Sequence, residues 1–84
     1  MIYLLNKIHL GHSYGIYQGK KYGITHSDFN NGKSIKIYAE ELAGTDFVSL
    51  NVYVTSTETL LKPCEMPEEK VLDFLKNVSI IHNE

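Results

Sequence analysis

Apolar and polar residues alternate most regularly between Phe47 and Thr55. Val48, Leu50, Val52 and Val54 fall on one side there, and Phe47, Ser49, Asn51 and Tyr53 on the other. A period of two is the signature of a strand with one face in a core, and the branched aliphatic row is the side expected to be buried. Ser34 to Tyr38 repeats the pattern more briefly, with Ile35 and Ile37 set between Ser34, Lys36 and Tyr38. Asn30-Asn31-Gly32 precedes it, and Asn-Gly tolerates the positive φ of a tight turn. Ile2 to Ile8 reads as a first strand by its β-branched and aromatic content, ended by Gly11-His12-Ser13. Tyr14-Gly15-Ile16 then recurs as Tyr22-Gly23-Ile24. A type II′ turn at Gly19-Lys20 between the two copies sets Tyr17 opposite Tyr22, Ile16 opposite Gly23 and Gly15 opposite Ile24. Tyr17, Tyr22 and Ile24 share one face in that register, and Tyr14 and Ile16 lie on the other. Ala39 to Asp46 reads as a polar loop with at most one helical turn. Thr55-Ser56-Thr57 reads as a turn, and Glu58 to Lys62 as a short edge strand that Pro63 ends.

The period changes after Pro67. Val71, Phe74, Leu75 and Val78 recur at the i, i+3, i+4, i+7 spacing of one helical stripe. Pro67 suits a first turn, where its missing N–H costs nothing, and Glu68 and Glu69 suit the positive end of the helix dipole. A helix of about three turns is unstable alone in water, so it must dock on the strands. Ile80 and Ile81 provide a last short strand or tuck beneath the sheet edge. Short strands without intervening helices exclude parallel βαβ units. The expected architecture is α+β: a small antiparallel sheet or half-open barrel of about five strands, with one C-terminal helix packed on it, as a single domain over residues 1–84.

Charge narrows the function classes. The chain carries eight lysines, no arginine and ten acidic residues, for a net charge of −2. Arginine supplies the planar fork that clamps phosphate and reads guanine, so nucleic acid is not the expected partner. A sheet-borne patch of Lys20, Lys21, Lys33 and Lys36 keeps that alternative open. The single cysteine, Cys64, cannot form an intramolecular disulfide, which suits a reducing compartment. Met1 to Leu10 lacks a basic start and a cleavage site, and no apolar run reaches the roughly 20 residues needed to span a bilayer. A cytoplasmic location without membrane association is the expectation.

Candidate chemistry is sparse. The glycines at 11, 15, 19 and 23 do not make a phosphate loop, because Gly15 to Gly19-Lys20 is one residue short, Lys21 stands where Ser or Thr is needed, and no helix follows. His9, His12 and His26, with Asp28, are the ligands a zinc site would use, but no ligand motif accompanies them. Cys64 lies near the helix start, yet Glu65, Glu68 and Glu69 oppose a thiolate there. Glu40-Glu41 and Glu68-Glu69 are adjacent in sequence and cannot face each other as acid/base dyads. No enzymatic activity, metal or cofactor is expected. Tyrosine is the notable excess, six against three Phe and no Trp, and it gives rigid contact area at low entropy cost. The sequence therefore points to a small non-enzymatic module acting through a protein partner, as an inhibitor, adaptor or regulatory subunit. Its contact patch is Tyr14, Ile16, Tyr38 and Tyr53, rimmed by Glu40, Glu41 and Asp46. Homo-oligomerisation through the same patch or through a sheet edge is a variant. The alternative is an SH3-like or oligonucleotide-binding-like module that uses its sheet tyrosines and lysines on a single strand.

Overall fold

The computed structural model describes residues 5–81. Six strands form one open antiparallel sheet: β1 (Gly11–Tyr17), β2 (Lys20–Phe29), β3 (Ser34–Glu41), β4 (Phe47–Val54), β5 (Thr59–Pro63) and β6 (Ser79–Ile81). Their order is β5-β4-β3-β2-β1-β6, so the first five make a plain meander. Helix α1 (Glu68–Asn77) carries the chain from the β5 edge beneath the sheet to the β1 edge, where β6 pairs with Tyr14 to Ile16. The sheet is open, with β5 and β6 at its edges, so of the two forms expected from the sequence the small antiparallel sheet is the one adopted, with six strands and the C-terminal helix packed on it.

Helix α1 begins at Pro67, which caps the helix from just outside it with extended backbone. Glu68 and Glu69 follow in the first turn, and Lys76 lies in the last, each charge complementing the dipole end beside it. Val71, Phe74, Leu75 and Val78 are buried together with Ile24, Ile37, Ala39, Val48, Leu50 and Val52. That core lies wholly on the helix side. Phe74 meets the rings of Tyr17 and Tyr22 edge-on, with centroids 5.0 and 5.6 Å away. The Tyr17 hydroxyl donates to the Asp73 carboxylate, and that of Tyr22 donates to Asp46 at 2.8 Å. Both buried phenols are thereby satisfied, as buried polar groups must be. Lys7 Nζ donates to the carbonyls of Lys76 and Val78 at 3.2 and 3.0 Å, tying the start of the chain to the end of α1.

Four parts of the sequence reading are corrected. Residues 2–4 of the predicted first strand lie outside the described residues, and 5–8 form a turn, closed by Ile8 N–H to the Leu5 carbonyl at 3.0 Å. Gly11 to Ser13 do not break a strand but begin β1, and Ala39 to Glu41 extend β3 rather than opening a loop. The first hairpin turns at Gln18-Gly19, with φ of 53° and 77°. Two positive values make this a type I′ turn, whose twist matches the flanking strands. Tyr17 therefore faces Lys20, Gly15 faces Tyr22 and Tyr14 faces Gly23. Moving the turn by one residue shifts the pairing by two. A shift of two keeps every side chain on its expected face, so the hydrophobic pattern could not distinguish the two registers.

Candidate functional site

Among the described residues a single helix crosses one side of the sheet, and none of them covers the other. The Cα extents of the molecule, 38 × 30 × 17 Å, leave thickness for a sheet and one helical layer. Strand pairing arranges the open face in five transverse rows. The first holds Ile16 and Lys21 on paired strands, with Leu42 beside them through its N–H to the Lys21 carbonyl. Tyr14, Gly23, Glu40 and Phe47 make the second, and His12, Thr25, Tyr38 and Ser49 the third. Ser27, Lys36, Asn51 and Lys62 form the fourth. Phe29, Ser34, Tyr53 and Leu60 close the series. Successive rows are roughly 7 Å apart and neighbouring strands about 4.8 Å.

The apolar residues of this face are large and wet. Tyr14, Ile16, Phe29, Tyr38, Leu42 and Tyr53 are each between 37 and 53% exposed. The Tyr14 and His12 rings are perpendicular with centroids 4.9 Å apart, and the Lys21 ammonium lies 4.9 Å from the Tyr14 centroid, a cation–π arrangement. Tyr38 and Phe47 are diagonal neighbours with ring centroids 6.2 Å apart. Gly23 lies between Tyr14 and Glu40 in the second row, and a Cβ there would have Leu42 Cδ2 at 3.3 Å and the His12 ring at 3.5 and 3.8 Å as its nearest neighbours.

Of the seven residues expected at the contact patch, Tyr14, Ile16, Tyr38, Glu40 and Tyr53 share this face. Glu41 and Asp46 do not rim it. Glu41 pairs with Tyr22 and so points to the helix side, where its carboxylate lies 3.6 Å from Lys20 Nζ and accepts the Asp46 N–H at 3.3 Å. Asp46 accepts from Tyr22 and from Lys70 of α1, the latter at 2.5 Å. The Lys70 ammonium, and then the Tyr22 hydroxyl, hold its carboxyl below the usual range against the opposing effect of burial. Its work is to clamp the helix to the β3–β4 turn. Lys20 belongs to the same side, so the lysine patch expected around it is divided.

Phe29, Leu42 and Lys62 were missed from the patch. Phe29 and Lys62 follow from parity once β2 is known to run to residue 29 and β5 to pair with β4. Leu42 carries no such signal, since it reaches the face from a turn.

Among the described residues no three His, Cys, Asp or Glu side chains gather as metal ligands would. His12 rests on Tyr14 with Thr25 Oγ1 3.5 Å from its Nδ1. His26 lies on the opposite face, with Nδ1 3.0 Å from the Ile8 carbonyl. The Cys64 sulfur accepts an N–H from Asn51 at 3.3 Å. Comparison of the chain with protein-family models, curated proteins and solved structures yields no match. No helix among the described residues is long and apolar enough to cross a membrane.

Proposed function

We propose that this chain is a non-enzymatic binding module that docks a protein partner on the open face of its sheet, acting as an inhibitor, adaptor or regulatory subunit. The observation that carries the reading is the open face itself, where exposed Tyr14, Ile16, Tyr38 and Leu42 gather at one end and Phe29 and Tyr53 at the other, with the polar row of Lys36 and Lys62 between them. Scattered exposed apolar residues are ordinary; a contiguous set of them on one face marks a contact surface. The phenols offer large, stiff contact area with a hydroxyl for hydrogen bonding, the composition favoured at protein interfaces. Single-stranded nucleic acid would use the same rings by stacking. Ile16 and Leu42 offer no stacking surface, and the chain has no arginine, so a protein is the better-matched occupant.

The test is affinity capture from native lysate with the wild-type chain and the Tyr14→Ala/Tyr53→Ala variant, both checked for folding by circular dichroism. Both side chains project away from the core, so the variant is expected to fold. A specific partner lost by the variant supports the reading. A partner retained at full strength by the folded variant removes the open face from the interaction.

A further inference from the structure

The open face differs from the rest of the molecule in charge. Among the described strand residues its ionic side chains are Lys21, Lys36 and Lys62 against Glu40, in a chain whose net charge is −2. The helix side carries the excess acid, including Asp46, Glu68, Glu69 and Asp73. Three of its lysines are engaged there: Lys20 with Glu41, Lys70 with Asp46, and Lys7 with the carbonyls that end α1, while Lys76 lies in the last helical turn beside the negative dipole end. Among the described residues, Lys21, Lys36 and Lys62 are in no ion pair. Lys36 and Lys62 stand two strands apart in the fourth row, roughly 10 Å from each other. They lie between the Tyr38 row and the row of Phe29 and Tyr53. A cation between two aromatic rows is matched by a partner carboxylate flanked by apolar contacts.

Resting on the protein-docking reading above, we propose that the occupant of this face is an acidic protein surface, one that sets carboxylates against Lys36 and Lys62 and apolar side chains against Tyr38, Tyr53 and Phe29. Strands of three to ten residues, at about 3.4 Å per residue and about 4.8 Å apart, give a face of roughly 650 Å² in projection. A standard interface takes about 800 Å² of accessible surface from each partner, so the size suits one protein contact. A second copy of this chain fits poorly. Two-fold pairing of identical faces sets two surfaces of the same net positive sign against each other, and opposed like charges are costly at an interface. Charge complementarity acts chiefly on partner choice and encounter rate, so the interaction weakens as salt rises.

The experiment is an NMR titration of the 15N-labelled chain with three probes: a random Glu/Tyr copolymer, a random Lys/Tyr copolymer and a 15-residue oligo-dT. Each is run at low and at high salt, with sedimentation of the chain alone as a control. The Glu/Tyr copolymer is expected to shift amides of β3 and β4 around Lys36, Tyr38 and Tyr53 while leaving α1 unmoved, and to lose the effect at high salt. The Lys36→Glu/Lys62→Glu variant, with its core cross-peaks intact, is expected to bind it at least about tenfold more weakly. An equal response to the Lys/Tyr copolymer overturns the acidic-partner inference and leaves the docking face standing. Tighter binding of oligo-dT on the same face replaces the acidic protein with nucleic acid, and self-association through this face replaces it with a second copy. No open-face response to any probe overturns the inference together with the reading on which it rests.

Discussion

Gly15 and Gly23 occupy the same place in the two copies of Tyr-Gly-Ile, yet alanine should be costly at one and harmless at the other. A Cβ on Gly15 would stand 2.8 Å from Val78 Cγ2, 3.1 Å from Ile24 Cδ1 and 3.2 Å from the Ser79 carbonyl oxygen. Ile24 is fully buried and Val78 nearly so. Val78 is β-branched, with little freedom to rotate away, and the third neighbour is backbone. Overpacking of this kind costs about 1–3 kcal/mol. Alanine recovers about 0.4–1 kcal/mol by restricting the unfolded chain, so Gly15→Ala should lose about 1–2 kcal/mol net. On Gly23 the same methyl points to the open face. It meets Leu42 Cδ2 at 3.3 Å, the tip of a side chain that is 49% exposed and free to swing aside. Gly23→Ala should therefore be neutral or slightly stabilising. Urea unfolding followed by circular dichroism separates the two. With an m-value of about 1 kcal/mol/M for a chain of this size, Gly15→Ala lowers the midpoint by about 1–2 M at unchanged slope. The reasoning fails if Gly15→Ala lies within about 0.5 kcal/mol of wild type, the range of ordinary surface changes, or if Gly23→Ala is equally damaging.

Three further outcomes follow from the packing of α1. Asp46 has a carboxyl held below its ordinary value of 3.8 by Lys70 and Tyr22, so its contribution to stability is complete above that value and disappears as pH falls through the lower folded one. Thermal melts should show Asp46→Asn less stable than wild type at pH 7 but losing less on acidification; identical acid limbs would contradict the clamp. Tyr17 is pushed up to about 12, first by burial and then by its bond to Asp73, and Tyr22 is raised in the same sense by burial and Asp46. A raised folded value means stability that is full below the ordinary value of 10.0 and falls as pH climbs from there through 12. Alkaline unfolding should accordingly begin in that window and be milder in Tyr17→Phe/Tyr22→Phe, measured against the wild type's own neutral stability. Phe74→Ala removes the ring at the centre of the core, at a cost of about 3–5 kcal/mol. An 84-residue chain has about 4–13 kcal/mol in all, so the midpoint in urea should fall by more than for any other substitution named here; a smaller effect than Gly15→Ala would misplace the core.

Much of the fold was legible because few alternatives satisfy the pattern. The Val48-Leu50-Val52-Val54 row could be buried in only one way, and the Val71-Phe74-Leu75-Val78 stripe had to find an apolar surface of comparable width. Pro67 and Pro63 marked the boundaries of α1 and β5 closely, because a missing N–H restricts where each can stand. Parity likewise placed Tyr14, Ile16, Tyr38 and Tyr53 together on one face before any strand order was known. Errors arose where local preference was degenerate. Gln18-Gly19 and Gly19-Lys20 both supply a glycine to a two-residue turn, and both registers bury the same side chains. Ala39 to Glu41 looked like loop because two adjacent glutamates obscure alternation, although Ala39 is fully buried opposite Val48.

The sequence by itself determined which residues alternate and which lie in stripes, and so which side chains share a face. Those are properties of the backbone repeat, fixed by spacing alone. Only the tertiary structure decided which face stays open and what surrounds it. That depends on the path of one helix from the β5 edge to the β1 edge, and on Lys70 reaching across to Asp46. The same path drew Glu41 and Asp46 to the helix side and left Lys21, Lys36 and Lys62 on the other. Long-range placement of charge follows from the route of the chain in space, and residue spacing carries no record of that route.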